Sequence, residues 1–424
     1  MAEVLPAKPA TLSRGSVGST ARRMSRFAPS FIDYGAINFT MHNTTQLAEF
    51  VLVRSDTSKK TIVSHMRESW ELTDPGVLLR VTGAVEMGQV SSIQGVLEGI
   101  VTGVSDASGC IFSNGLDFGL AAVVGTTINS ERHRCQAPLI GVPSWTAVQG
   151  REQLVSKEEV DLGGAYEKGL KKKYADAQPD SKMETVSLQP VHTHFVIVKG
   201  DEKALKEAEK LSAEEKLMAA RVRSFKFAHE LEEELANSSP DSGHTPRVLM
   251  VLNGDRTTLR EVVAYAEQGR GIICLAVATG GLAEALADFI KFDRVPDAWS
   301  DCTEQFRMLK RINRERAAPG TQATPSRITD DKADDWPLFL LTDEVSKRGI
   351  SDAIMDAAMR QASDTAMRVR APRRTPAAHH LPPPPRHAPS RARLSRCRVV
   401  CACASSPTAS IACAPPPTRA CDDR

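Results

Sequence analysis

Between Val77 and Lys291, short apolar runs alternate with amphipathic stretches, and Gly or Asn stands at the junctions. The runs Val77 to Val81, Cys110 to Ser113, Pro138 to Val142, His194 to Val198, Arg247 to Leu252 and Gly271 to Val277 carry little polar alternation. A strand covered by helices on both faces has no solvent side and needs none. The stretches Val90 to Val104, Gly119 to Asn129, Arg256 to Gln268 and Leu282 to Ile290 place apolar residues at three- and four-residue intervals, which predicts helices. Strand and helix in strict succession predict an α/β fold with a parallel sheet. A longer charged helix or hairpin is expected over Lys203 to Asn237, its Lys/Glu alternation marking a solvated face.

Composition narrows the class. The 54 Lys and Arg nearly cancel the 52 Asp and Glu, which argues against a dedicated nucleic-acid binder. The longest apolar stretch, Gly271 to Ile290, carries Glu284, Asp288 and three glycines, so no membrane span is expected. Residues 1–45 read as a disordered leader, with an organelle transit peptide as the alternative on Arg14, Arg22, Arg23 and Arg26. No apolar core of a secretory signal follows, and Cys110, Cys135, Cys274 and Cys302 are scattered through the body, as in a reduced, cytoplasmic protein. The loop Asp161 to Ser187, with Lys171 to Lys173, is expected to be a surface excursion. Residues 301–368 read as a helical extension, and residues 369–424, rich in Pro, Arg and Cys, as a disordered tail.

In a parallel sheet the strand-to-helix turns gather at the carboxyl edge, where such folds bind ligands. Here they are Thr82-Gly83, the loop Ser113 to Gly119 with Gly115 and Asp117, Asn253-Gly254-Asp255, and Thr279-Gly280-Gly281, with Glu284 one turn on. Glycine lets backbone approach a ligand, and the helix that follows offers free N–H groups to an anion. Tight turn geometry is the competing reason for the same glycines, and helix capping for Asp117. His192 and His194 share a face at the start of a strand; a hydrogen-bonded structural role is expected rather than a metal site, because no third ligand is visible. Trp145 and Arg151 could meet a base and a phosphate, or serve packing and a salt bridge. No nucleophile elbow, HExxH helix or Cys/His pairing points to an enzyme.

These segments occur in the order found in the N-terminal region of melastatin-type transient receptor potential (TRPM) channels. Phe50 to Leu72 resembles the family's lead-in, and LLRVTGAVE (Leu78 to Glu86) is similar to its LLISVTGGA, keeping Thr82 and Gly83. CIFSNGLDFGLAAVVG (Cys110 to Gly125) resembles WIITGGTDSGVMKHVG, with Gly115, Asp117, Gly119 and Gly125 kept and Asn114, Leu116 and Phe118 changed. Leu139 to Leu154 keeps Gly141, Trp145, Arg151 and Glu152, and LQPVHTHFVIV (Leu188 to Val198) follows the family pattern position for position. Pro246 to Tyr265 also resembles the family, while in ATGGLAEAL (Ala278 to Leu286) Gly281 stands for its arginine and Glu284 for its aspartate.

The resemblance spans residues 46–300 and implies a Rossmann-like SLOG fold with helices on both faces of the sheet. It further implies a cytosolic sensor of ADP-ribose or a related nucleotide that controls a calcium-permeable cation channel, tetrameric if intact, with no pore in this chain and no other cofactor. Ligand contacts are expected from Thr82, Gly83, Gly115, Asp117, Gly119, Gly254, Gly280 and Glu284. The rivals are a nucleoside monophosphate phosphoribohydrolase, echoed only by Gly280, Gly281 and Glu284, and an assembly domain that binds nothing.

Overall fold

The computed structural model describes residues 31–370 apart from 42–43, 86–89, 132–134, 156–159, 162–184, 201–210, 239–243, 269–270, 317–337 and 343–345. The transit-peptide stretch, the lysine run and the cysteine-rich tail lie outside those residues, as does most of the Asp161 to Ser187 loop.

The six apolar runs fold as strands β3 (Leu78–Ala84), β4 (Cys110–Ser113), β5 (Leu139–Gly141), β7 (His194–Lys199), β8 (Arg247–Asn253) and β9 (Ile272–Ala276). They are joined by β1 (Asp33–Met41), β2 (Thr44–Arg54), β6 (Val160–Asp161) and β10 (Phe339–Thr342). One sheet results, in the order β10-β9-β8-β3-β4-β5-β7-β2-β1-β6. From β10 through β2 every neighbouring pair is parallel. The sheet becomes mixed at one edge, where β1 runs antiparallel to β2 and β6 follows β1.

The helices are α1 (Lys59–Glu68), α2 (Val90–Asp106), α3 (Gly119–Ser130), α4 (Ala213–Asn237), α5 (Arg256–Gln268), α6 (Gly281–Phe292), α7 (Thr303–Arg316) and α8 (Lys347–Arg370). Strand side chains alternate between faces, so each strand feeds two cores. Leu79, Ile111, Met250 and Cys274 pack beneath α2, α3 and α8. On the opposite face Leu249, Val251, Ile273 and Leu275 pack beneath α5, α6 and α7. On that same face Leu78, Phe112, Val196 and Val51 meet α1 and α4. Gly99 and Gly103 bring α8 against α2: a methyl at Gly103 would stand 3.1 Å from Ile354 Cδ1. None of the helices among the described residues is long and apolar enough to cross a membrane.

Two sequence expectations need correcting. The leader reading fails from Asp33 onward, because Ile37 and Phe39 are buried and β1 pairs along its whole length with β2. The 301–368 extension is not purely helical, because the run Phe339–Thr342 is buried and closes the other edge of the sheet beside β9. Both strands are short or interrupted by polar residues, which masks their period.

Helix α4 also differs from the solvated helix expected. Ala220, Phe225, Ala228, Leu231 and Leu235 are buried, and with them Glu232, whose carboxylate accepts from Arg80 Nε at 2.6 Å. The helix starts at a capping box in which Glu215 N–H donates to Ser212 Oγ at 3.3 Å and Ser212 N–H to the Glu215 carboxylate at 2.9 Å. Ser212→Ala should therefore cost about 1 kcal/mol in a urea titration, whereas an unchanged midpoint would show that packing alone sets where α4 begins.

Candidate functional site

The helices after β3 and β4 lie on one face of the sheet, and those after β8 and β9 on the other. The winding therefore reverses between β3 and β8, and in open α/β sheets the crevice at the carboxyl ends of such a strand pair is the usual ligand site. The sequence puts Thr82 and Gly83 on one lip of this crevice and Gly254 on the other, since Gly83 is in register with Leu252 and Ala84 with Asn253.

Packing makes Gly83 a requirement of its own. A Cβ there would overlap the Leu252 carbonyl oxygen and press on Leu120 of α3. Gly115, at φ 71°, likewise sits where a methyl would come within 2.7 Å of Gly141 Cα. Gly119, at φ 54°, has no atom within 4 Å of the Cβ position, and Gly280, at φ 81°, has only Glu284 Oε2 at 4.0 Å. The first two glycines serve the sheet, while the second two border open space.

Beneath the crevice is a polar network that sequence reading did not find. Thr82 Oγ1 donates to the Glu261 carboxylate, which also accepts from Arg221 Nε at 2.8 Å and Nη2 at 3.1 Å. Arg221 Nη2 reaches Thr258 Oγ1 at 3.3 Å and the Gly83 carbonyl at 3.4 Å, and Nη1 lies 3.9 Å from Asp255. Glu261 is buried, so the fork of Arg221 and the Thr82 hydroxyl together satisfy a charge that would otherwise be costly. The arginine comes from α4, whose charged sequence hid it; Glu261 comes from the sheet-facing side of α5.

The helix N-termini at this edge differ in how they are satisfied. Asp255 closes α5, because its Oδ1 accepts from Thr258 N–H at 2.8 Å. Helix α6 has Leu282 N–H donating to the Gly254 carbonyl at 3.1 Å, which ties its first turn to β8. At α3 the N-cap is Phe118, extended at φ −149°, and no side chain caps the helix. Asp117 is thus not the cap of α3; its N–H donates to Ser187 O at 2.8 Å, and the residue is half-buried. Phe118 is 62% exposed. The eight expected contact residues stand in or just after the turns that follow β3, β4, β8 and β9; Leu120 brings the start of α3 to Gly83, Asn253 N–H donates to Thr279 Oγ1 at 2.6 Å beside Gly280, and Gly115 packs toward Gly141 of β5 rather than toward the β3–β8 crevice.

Trp145 packs against the core formed by β1, β2 and β7, which includes Phe39, Phe50 and Phe195, and Arg151 donates to Thr146 O at 2.8 Å and lies 3.2 Å from Glu152. The arginine's contacts are local, and the tryptophan serves packing. His192 is buried, with Nε2 2.7 Å from Ser113 Oγ and Nδ1 3.2 Å from Gln189 Oε1, and burial holds it down at about 3. His194 instead packs against Trp70 in a tilted pair, ring centroids 4.6 Å apart, and is pulled down to about 4 by burial and then by His65. Among the described residues, no three His, Cys, Asp or Glu side chains gather as metal ligands.

Across from His194 in β2 is Glu49, which burial, with the nearby charge of Glu71, pushes up to about 7. A carboxyl with a raised native pKa stabilises the fold fully below its unfolded value near 4.5 and loses that contribution as pH rises through about 7. Glu49→Gln should therefore raise the unfolding temperature at pH 8 while leaving it unchanged at pH 4. Equal shifts at both pH values would mean that ionisation of Glu49 is not the cause.

A family model described as SLOG in TRPM matches residues 48–316. The human transient receptor potential cation channel subfamily M member 7 is 24% identical over 169 residues, covering 39% of this chain and 8% of that protein. Mouse subfamily M member 1 is 24% identical over 168 residues, and the member-like 2 protein of Nematostella vectensis 21% over 171, each covering 39% of this chain and 10% of the relative. The chain thus corresponds to a tenth or less of the length of these relatives. Residues 48–316 make up more than half of the chain, and with the reversal of winding at β3 and β8 they place it in a family: the chain belongs to the SLOG family of TRPM proteins.

Proposed function

We propose that this chain is the cytosolic ligand-sensing, regulatory region of a TRPM-like calcium-permeable cation channel, binding ADP-ribose or a related nucleotide without turning it over. The observation that carries the reading is the uncapped N-terminus of α3 beside the switch-point crevice, with Gly119 leaving its approach open. Free backbone N–H groups at a helix start favour a phosphate both by hydrogen bonding and by the helix dipole. In this reading Gly119 and the residues after it hold the pyrophosphate. Asp117 and Glu284 accept from ribose hydroxyls, and the backbone at Gly83, Gly254 and Gly280 supplies close van der Waals walls. Thr82 acts from below, its hydroxyl proton held by Glu261.

Coupling to the rest of a channel runs through Arg221. It touches the Gly83 carbonyl at the crevice and belongs to α4, which is tied farther along to β3 by the Arg80–Glu232 pair. A ligand that shifts the β3 turn therefore meets resistance from α4, and a neighbouring domain or subunit packed on α4 would feel it. That neighbour is one of the other domains of a tetrameric channel on the cytosolic face of the membrane.

The test is calorimetric titration of ADP-ribose, AMP and NAD into the purified chain, with base release followed in parallel. Saturable binding without release is expected. Release of base would make the chain a phosphoribohydrolase instead, and absence of heat with all three would leave an assembly domain.

A further inference from the structure

Away from the crevice, α7 buries Phe306 and Leu309 in the core and turns a mainly cationic stripe outward, with the exposed Glu315 beside it. Arg307, Lys310, Arg311 and Arg314 recur at three- and four-residue spacing, which aligns them on one side of a helix. Arg307, Arg311 and Arg314 are exposed. Arg307 lies 3.9 Å from Glu304, both largely solvated, and Lys310 is paired with Asp293. Arg311 and Arg314 have no ion-pair partner among the described residues.

The Lys310–Asp293 pair joins this stripe to the end of α6. The residue before Asp293 is Phe292, the last of that helix, and it is 70% exposed although Phe289 and Ile290 just before it are buried. A solvated aromatic ring next to a basic stripe is the combination by which an amphipathic surface meets a bilayer. The cations face headgroup phosphates and the ring enters the interface. An acidic protein or nucleic-acid surface would match the arginines but offers the ring no apolar layer.

We propose that the outer side of α7, together with Phe292, docks on an anionic membrane surface. This rests on charge and exposure at α7 and Phe292 and does not depend on nucleotide binding at the crevice.

The experiment is flotation of the full chain with vesicles of phosphatidylcholine alone or with 30% phosphatidylserine, at low and high salt. Each basic residue near such a surface contributes roughly fivefold to partitioning, so Arg311→Gln/Arg314→Gln should weaken binding about 25-fold. Phe292→Ser should weaken it further at unchanged charge. Arg348→Gln, removing an exposed cation on α8 that lies 3.7 Å from Asp352, should leave it unaltered. The Arg-rich residues beyond 371 are common to all these proteins, so the differences report the α7 face. Wild-type binding that ignores phosphatidylserine, or an Arg311→Gln/Arg314→Gln protein that binds as well as wild type, would overturn the proposal.

Discussion

Replacing Glu232 with Leu should lower the unfolding free energy by about 3–5 kcal/mol, because it strands a buried guanidinium without its counter-charge. Arg80 and Glu232 are 4% and 2% exposed, and the guanidinium lies between Phe225, at 4.9 Å, and Phe112, at 5.9 Å. Water cannot replace the lost carboxylate in that setting. Arg80→Met/Glu232→Leu removes both charges and fills the space with apolar atoms, so it should return to wild-type stability within about 2 kcal/mol or exceed it. Urea titrations of the single and double variants measure the difference. If Glu232→Leu costs less than about 1 kcal/mol, the pair is hydrated in solution and does not fix α4 to the sheet.

The second large effect concerns a place where this chain departs from the pattern it resembles. Gly281→Arg, which restores the family's arginine, should cost about 2–4 kcal/mol: part is the left-handed conformation and part is overpacking. Gly281 has φ 56°, and a Cβ there would overlap Asn253 Oδ1. Asn253 is itself left-handed at φ 53°, held by its N–H to Thr279 Oγ1 at 2.6 Å. The two positions therefore share one space. Asn253→Gly/Gly281→Arg should recover at least half of the loss, a non-additivity expected of residues in contact. Strictly additive costs in thermal or urea unfolding would show that Asn253 moves aside freely. If the coupling holds, the glycine at 281 is matched to the asparagine at the end of β8.

What could be read from the residues follows from which signals are local. Six strands were legible because a parallel strand buried on both faces announces itself as an uninterrupted apolar run, as Arg247–Asn253 does. The strands beyond β7 and β9 were not. In Asp33–Met41 Gly, Ala and Asn dilute the apolar positions, and Val160–Asp161 is too short to carry a period. The glycine turns were legible as a set because every strand they follow runs the same way. Their individual reasons were not, since Gly83 and Gly115 are required by Leu252 and Gly141, residues distant in sequence. Charged residues were the least legible. Arg221 and Glu232 belong to a helix rich in Lys and Glu, and only burial against Glu261 and Arg80 separates them from their solvated neighbours.

Amide hydrogen exchange with and without ADP-ribose tests most directly whether the carboxyl-edge crevice is the sensing site. Exchange should slow at the start of α3, from Gly119 to Ala121, and at the β3 and β8 turns around Gly83 and Gly254, with a smaller change along α4 from Arg221 onward. Protection confined to another edge of the sheet, or no protection at saturating ligand, would contradict it.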